Sequence, residues 1–350
     1  MAPERFAILG AGAVGLVVGA RLARTGCDVL MLTRRPEPAR RIAQGGIRVE
    51  DPATGEAWTQ PVPARAEPDW EAGALRDRTV ILCVRTPQLD AAAAALARVA
   101  PRAVVANAQN DVDGDARLAE RFARVIGVVV RLTSTRVGDA AVRASGAGRL
   151  VVGDHPEGAG AHTLRLAEAL CGAGYQVAVS PRIAEDRWLK LCVNLMSAAN
   201  ALIARPDHGT AAFVEIKARL LEEAAAVLAA AGISARPCDA GDRSLAEEIA
   251  HQRASLAAGT SVRALPLYNQ VWQALARGGP LEADLYHRRI LALARRHGVP
   301  APVNARVLEI LLRQAGSGAG PESVRAAEIL PEGQARRARS EAKPSGDRTG

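Results

Sequence analysis

Three glycines near the amino end, Gly10, Gly12 and Gly15, stand at G-x-G-x-x-G spacing within Gly10-Ala11-Gly12-Ala13-Val14-Gly15. That spacing suits phosphate chemistry. The first glycine permits a tight turn, the second has no β-carbon to block a pyrophosphate, and the third lets a helix pack close to a strand. Phe6–Leu9, just before the turn, is the short apolar run of a strand buried on both faces, and a second apolar strand, Asp28–Thr33, follows the intervening helix. The phosphates of a dinucleotide would meet the free N–H groups and positive dipole end of that helix. About 20 positions on, where an acidic residue would take the ribose 2′-hydroxyl of NAD, the sequence has Arg34 and Arg35. A cation there suits a 2′-phosphate, so the segment predicts NADP(H). The plainer alternative for Arg34 is a solvated loop arginine.

A second set of polar residues lies in DRWLKLCVNLMSAAN. Lys190 and Asn194 share a helix face, and Ser197 falls on almost the same face. A lysine and a neutral amide aligned on an otherwise apolar helix can donate to a substrate carbonyl and a neighbouring oxygen. The alternative is local: Lys190 snorkels and Asn194 pairs with its own helix. The histidines offer no competing chemistry. His155, His162, His208, His251, His287 and His297 lack metal-ligand spacing, so no metal is expected, and His287 and His297 are read as surface residues. Cys27, Cys83, Cys171, Cys192 and Cys238 are dispersed and never in C-x-x-C pairs, which reads as reduced core thiols.

The elements around these residues define an α/β class. Thr79–Val84, Val104–Ala106, Ile126–Leu132, Arg149–Gly153 and Gln176–Val179 read as strands, and helical segments Leu89–Val99 and Thr163–Ala173 lie among them. Such alternation predicts a Rossmann-type, parallel, doubly wound sheet. From about Ile183 helical periodicity takes over, in Trp188–Ile203, Phe213–Ala231, Leu245–Leu256, Leu281–His297 and Asn304–Gln314. The expected organisation is therefore a nucleotide domain over 1–182 and an all-α substrate and dimerisation domain over 183–315. Substrate is expected in the cleft between them. The remainder, 316–350, is rich in Gly, Pro, Ser and charge and is expected to be a disordered basic tail.

The 350 residues suit two domains. The formal charge of +8 comes from 45 basic and 37 acidic residues interleaved along the chain, with no basic stripe holding aromatics between its charges, so no nucleic-acid partner is expected. No apolar run approaches the roughly 18 residues of a membrane span, and no hydrophobic signal segment opens the sequence. The expectation is a cytoplasmic protein with no membrane partner.

Four signatures in order give these readings a common source: Gly10 to Gly15 with the strand ending Thr33-Arg34, Ala108-Gln109-Asn110, Trp188-Leu189-Lys190 with Asn194, and Leu281-Glu282-Ala283-Asp284. With the segment HGVPAPVN at 297–304, they resemble the ketopantoate reductase (2-dehydropantoate 2-reductase) family, from Phe6 to about Leu312. The resemblance implies NADPH-dependent reduction of a 2-oxo acid, 2-dehydropantoate or a relative, to the 2-hydroxy acid, as in pantothenate biosynthesis. It implies Lys190 as general acid, with Asn194 beside the substrate. It also implies Glu282 at the substrate's hydroxyl end, with the alternative of a helix-start acid favoured by the dipole. Asn110 would meet the nicotinamide ribose and the reacting centre, and a homodimer is a further implication.

The sequence also departs from the family pattern. A second family asparagine falls on Ala198, with Ser197 or Asn200 as candidate replacements. The family serine before the glutamate falls on Gln270, the lysine after the third strand becomes Arg85, and Gln-Asn-Gly becomes Gln109-Asn110-Asp111. These changes gather on substrate-side positions, while the glycine turn is intact. Arg85 is retained as a cofactor-side cation and Gln270 as a substrate-side residue. Two alternatives stay open: a non-catalytic NADPH-binding regulatory paralogue, and a related reductase with a different carbonyl substrate.

Overall fold

A computed structural model describes residues 3–257, 269–279 and 281–330. The chain opens with β1 (Arg5–Leu9), α1 (Ala13–Arg24) and β2 (Asp28–Thr33), then α2 (Pro36–Gly45), β3 (Ile47–Glu50), β4 (Ala57–Gln60), β5 (Ala64–Ala66) and α3 (Ala72–Leu75). There follow β6 (Thr79–Leu82), α4 (Leu89–Val99), β7 (Val104–Asn107), α5 (Gly114–Ala119), β8 (Arg124–Gly138), β9 (Ala141–Asp154), α6 (Ala161–Gly172) and β10 (Gln176–Val179). All ten strands join one sheet in the order β4-β3-β9-β8-β7-β6-β1-β2-β5, with β10 also on β9.

The six strands from β5 through β2, β1, β6 and β7 to β8 pair in parallel, giving the expected Rossmann-type core. Antiparallel pairing enters only at β8–β9 and β3–β4. The apolar run of β1 is continuous because both sheet faces are covered: Phe6 and Ile8 enter one core, Ala7 and Leu9 the other. One outcome differs from the reading of the sequence. Ile126–Leu132 and Arg149–Gly153 are each part of a longer strand of one hairpin, in which Thr133–Thr135 pair with Arg143–Ser145. Beyond Leu132 the side chains are only partly buried, so the apolar pattern fades while backbone pairing continues.

The chain divides into two compact units that meet at Arg187 and Trp188, five residues later than the expected boundary. The opening of α7 (Ile183–Leu202) explains the shift. Ile183 is fully buried and packs on Gly127 and Gly153 of the β8–β9 hairpin, and Arg187 is bound inside the first unit.

The second unit is helical: α8 (Ala211–Ala230), α9 (Leu245–Ala257), α10 (Gln270–Arg277), α11 (Ala283–His297) and α12 (Pro302–Ser317) follow the rest of α7. Helix α8 forms its centre, capped at Thr210, whose hydroxyl accepts the Phe213 N–H. The Glu223 carboxylate of α8 accepts the N–H groups of Val303 and Asn304, satisfying two orphan donors at the start of α12.

Three expectations are corrected. His287 is fully buried, not on the surface, and its Nδ1 lies 2.9 Å from Asn304 Oδ1. Only Cys192 of the five thiols is fully buried, and Cys171 is exposed. The disorder expected from 316 does not begin there: α12 runs to Ser317, and Val324, Ala326, Ile329 and Leu330 are buried. Four apolar anchors in a polar stretch suffice to dock it, and averaging over the segment conceals them. The basic residues from 331 onward lie outside the described residues. Among the described residues no helix is long and apolar enough to cross a membrane.

Candidate active site

The glycine turn links β1 to α1. Gly10 has φ +117°, and an added Cβ would lie 3.0 Å from the carbonyl carbon and oxygen of Cys83. Both the left-handed backbone and the neighbouring strand end therefore require glycine. Gly12 differs. Its φ of −81° and ψ of −179° are extended backbone open to any residue, and a Cβ would meet only Cys83 O at 3.8 Å. Space is kept clear there although the fold does not demand it. At Gly15 a Cβ would fall 1.9 Å from Gly10 O, so this glycine serves helix-to-turn packing. Helix α1 has no side-chain N-cap and no acid in its first turn, which leaves its positive end uncompensated by its own side chains. Ala11, Ala13 and Val14 are half-buried along the turn. Arg34 is exposed just past β2, and Arg85 is exposed just beyond β6.

A buried polar network, with no counterpart in the reading of the sequence, braces the loop after β7. The Arg187 guanidinium donates through Nε and Nη2 to the Asp115 carboxylate. It also donates to the carbonyls of Asn107 and Gln109, each at 2.7 Å, and of Asp111 at 3.4 Å. Arg187 and Asp115 are 3% and 2% exposed, so the pair is desolvated and survives on bidentate geometry with filled hydrogen-bonding capacity. Asn107 Nδ2 donates to Asp115 at 2.8 Å, and Gln109 Nε2 donates to Val84 O at 2.9 Å. The main chain is thus gripped on both sides of half-buried Asn110. This loop and the glycine turn lie at the carboxyl ends of adjacent parallel strands β1, β6 and β7, where doubly wound sheets hold ligands.

In the helical unit Lys190, Asn194 and Ser197 are each half-buried along one face of α7, between fully buried Leu189, Leu195 and Ala198. Ala198, expected as a substrate-side departure, is wholly enclosed. Asn200 Oδ1 is buried with no hydrogen-bond partner among the described residues. On α10 the residue that reaches α7 is Asn269, not Gln270. Asn269 caps the helix by accepting the Trp272 N–H and donates through Nδ2 to Ser197 O at 2.9 Å, whereas Gln270 is exposed. An Asn ahead of a helical run was the signal for that cap.

Glu282 is half-buried at the N-cap of α11, and its side chain does not cap that helix. Helix α11 meets α7 through His287, whose ring faces the Leu195 backbone one residue beyond Asn194. Burial pushes the imidazole pKa down to about 4, against the opposing pull of Asn304 and that backbone. Lys190, Asn194 and Ser197 therefore share one face, Asn269 adjoins its far end, and Glu282 heads α11, which touches α7 at His287. Among the described residues no group of three His, Cys, Asp or Glu could hold a metal.

Residues 6–157 match the family described as Ketopantoate reductase PanE/ApbA, and residues 182–314 match Ketopantoate reductase PanE/ApbA C terminal. A 2-dehydropantoate 2-reductase of Halobacterium salinarum is 28% identical over 313 residues, which cover 89% of this chain and 98% of the relative. The crystal structure of a PanE/ApbA family ketopantoate reductase from Ralstonia eutropha JMP134 is similar with a TM-score of 0.72 and 26% identity, over 90% of this chain and 100% of that one. D-mandelate dehydrogenase, in a ternary structure with NADH and anilino(oxo)acetate, has a TM-score of 0.75 over 91% of this chain and 100% of that one. At 20% identity that likeness is one of fold. Two consecutive family matches over the nucleotide and helical halves, joined by a full-length relative and a matching structure, establish that the chain belongs to the ketopantoate reductase family of oxidoreductases.

Proposed function

We propose that this chain reduces a 2-oxo acid to its 2-hydroxy acid with NADPH, and that 2-dehydropantoate is the first substrate to test. The observation that carries the reading is the face of α7, where Lys190, Asn194 and Ser197 stay polar and half-open among fully buried apolar neighbours. A nicotinamide dinucleotide fits the first unit: Gly12 leaves open a space the fold does not need, beside a helix start without a cap. Arg34 would take the 2′-phosphate, Arg85 would be a second cation near the nucleotide, and Asn110 would contact the nicotinamide ribose.

When bound, the reduced nicotinamide supplies the hydride that adds to the carbonyl carbon. Lys190 would donate the proton that the carbonyl oxygen needs, so that hydride and proton together account for the 2-hydroxy acid and the coenzyme would be left oxidised as NADP+. Its cationic N–H stabilises the alkoxide character that develops in the transition state. Asn194 holds the substrate beside Lys190, with Ser197 one turn further on, and Glu282 takes the distal end and orients the lysine. Gln270 remains a candidate for that distal end. The buried Ala198 supplies no polar group at its position, so the substrates to test extend to 2-oxo acids other than 2-dehydropantoate. The free cysteines suit a reducing cytoplasm, and a homodimer through the helical unit completes the reading.

The test is oxidation of NADPH and of NADH against a panel of 2-oxo acids that includes 2-dehydropantoate. Turnover with at least one, at a kcat/KM for NADPH roughly tenfold or more above that for NADH, is expected. NADPH binding without reduction of any 2-oxo acid would overturn the proposal and leave the non-catalytic reading and a reductase of a different carbonyl substrate.

A further inference from the structure

Residues 318–330 lie beyond the stretch matched to the family and form a strap across the end of α7. The strap occupies hydrogen-bonding groups that a helix end leaves open: Glu322 N donates to Ala201 O at 2.8 Å and Val324 N to Leu202 O at 3.0 Å. Ala204 N donates back to Val324 O at 2.8 Å, and Ala326 N donates to the Asp207 carboxylate at 2.8 Å.

Glu322 does more than follow this track. It is a non-glycine residue at φ +56°, a conformation that persists only where the surroundings impose it. Its carboxylate accepts from Arg205 Nε at 2.8 Å and from Trp272 Nε1 at 3.0 Å. Trp272 sits in the first turn of α10, and the N–H of its own backbone is held by Asn269, the residue that donates to Ser197 O. One glutamate thus joins the end of α7 to the turn of α10 that touches α7 at Ser197.

We propose that Glu322 is a positioning residue for the substrate: through Trp272 it fixes the first turn of α10, and with it the Asn269–Ser197 contact, and so sets which 2-oxo acids the helical unit accepts. The inference rests on the reductase reading above. A glutamate needed only for the turn would be replaced without loss by glycine, which adopts φ +56° freely. A glutamate that positions α10 would not.

The test compares wild type, Glu322→Gly, Trp272→Phe and the double variant on two substrates in the same preparation, pyruvate and a bulky branched 2-oxo acid. The ratio of the two kcat/KM values cancels any loss of folded enzyme, so a purely structural role does not move it. Trp272→Phe removes the Nε1 donor together with part of the indole but leaves the strap itself unaltered, which guards against a strap variant that fails to fold. The ratio is expected to change about fivefold or more in both single variants and in the same direction. The double variant should do no more than the larger single, because both remove the Trp272–Glu322 link, and the NADPH Kd should stay within about twofold. A ratio within about twofold of wild type in both singles would overturn the positioning role alone. A wild-type protein that reduces no 2-oxo acid would overturn the reductase reading and this inference together.

Discussion

Gly12 and Gly15 allow binding and folding to be separated by one methyl group placed at either of two positions three residues apart. At Gly15 an added Cβ would lie 1.9 Å from Gly10 O, against a floor of 3.0 Å for real contacts, so α1 or the turn must move by about 1 Å. Such overpacking costs about 1–3 kcal/mol or more. Gly12→Ala should be harmless to the fold, because φ −81° suits alanine and the nearest atom is 3.8 Å away. Restricting the unfolded chain could even raise stability by about 0.4–1 kcal/mol. The same methyl group would occupy the space that the proposal assigns to the pyrophosphate. Losing a charge-assisted hydrogen bond there costs about 1.5–3 kcal/mol, roughly 10- to 100-fold in NADPH Kd. Urea unfolding and titration of NADPH fluorescence on both variants check this. Gly15→Ala should lower stability, and Gly12→Ala should lower affinity alone. If Gly12→Ala binds NADPH as wild type does, or unfolds as readily as Gly15→Ala, the assignment of the turn fails.

The other predictions concern charge. Arg34→Ala should raise the KM for NADPH by about 10- to 100-fold with little change for NADH, since the lost contact is to a phosphate that NADH lacks; steady-state kinetics with both coenzymes read this directly. Asp115→Asn or Arg187→Met should cost about 3–5 kcal/mol in urea unfolding, because either leaves one member of the buried pair uncompensated. His287 is neutral when folded, with a pKa of about 4 against 6.5 for an unperturbed histidine. Between those values the unfolded chain binds the extra proton, so stability falls as pH drops from about 6.5 to 4, by on the order of 3 kcal/mol over the full window. His287→Asn should flatten that part of the stability profile, and an unchanged slope would rule out His287 as its source.

The sequence discloses what local pattern controls. The apolar run of β1, the glycine turn and the apolar run of β2 are consecutive, and the structure places them as read. The hairpin of β8 and β9 is longer than its apolar stretch, because pairing continues through Thr133–Thr135 where burial is only partial. The link between Arg187 and Asp115 joins residues 72 apart, and nothing in either neighbourhood announces the other. His287 was within reach: Ala283, His287, Ile290 and Ala294 follow a helical stripe that is buried throughout. Asn269 was one residue from the expected Gln270, and its fitness as a cap was the clue. The strap is not legible locally because its glutamate bonds to partners 117 and 50 residues away.

The central claim is that Lys190 delivers the proton during reduction of a 2-oxo acid. Its most direct test is the rate of NADPH oxidation in a single turnover on mixing the enzyme–NADPH complex with the best 2-oxo acid of the panel, for wild type and Lys190→Ala. The account predicts a loss of about 100-fold or more in that rate, with NADPH affinity unchanged. A Lys190→Ala rate within about tenfold of wild type would contradict it.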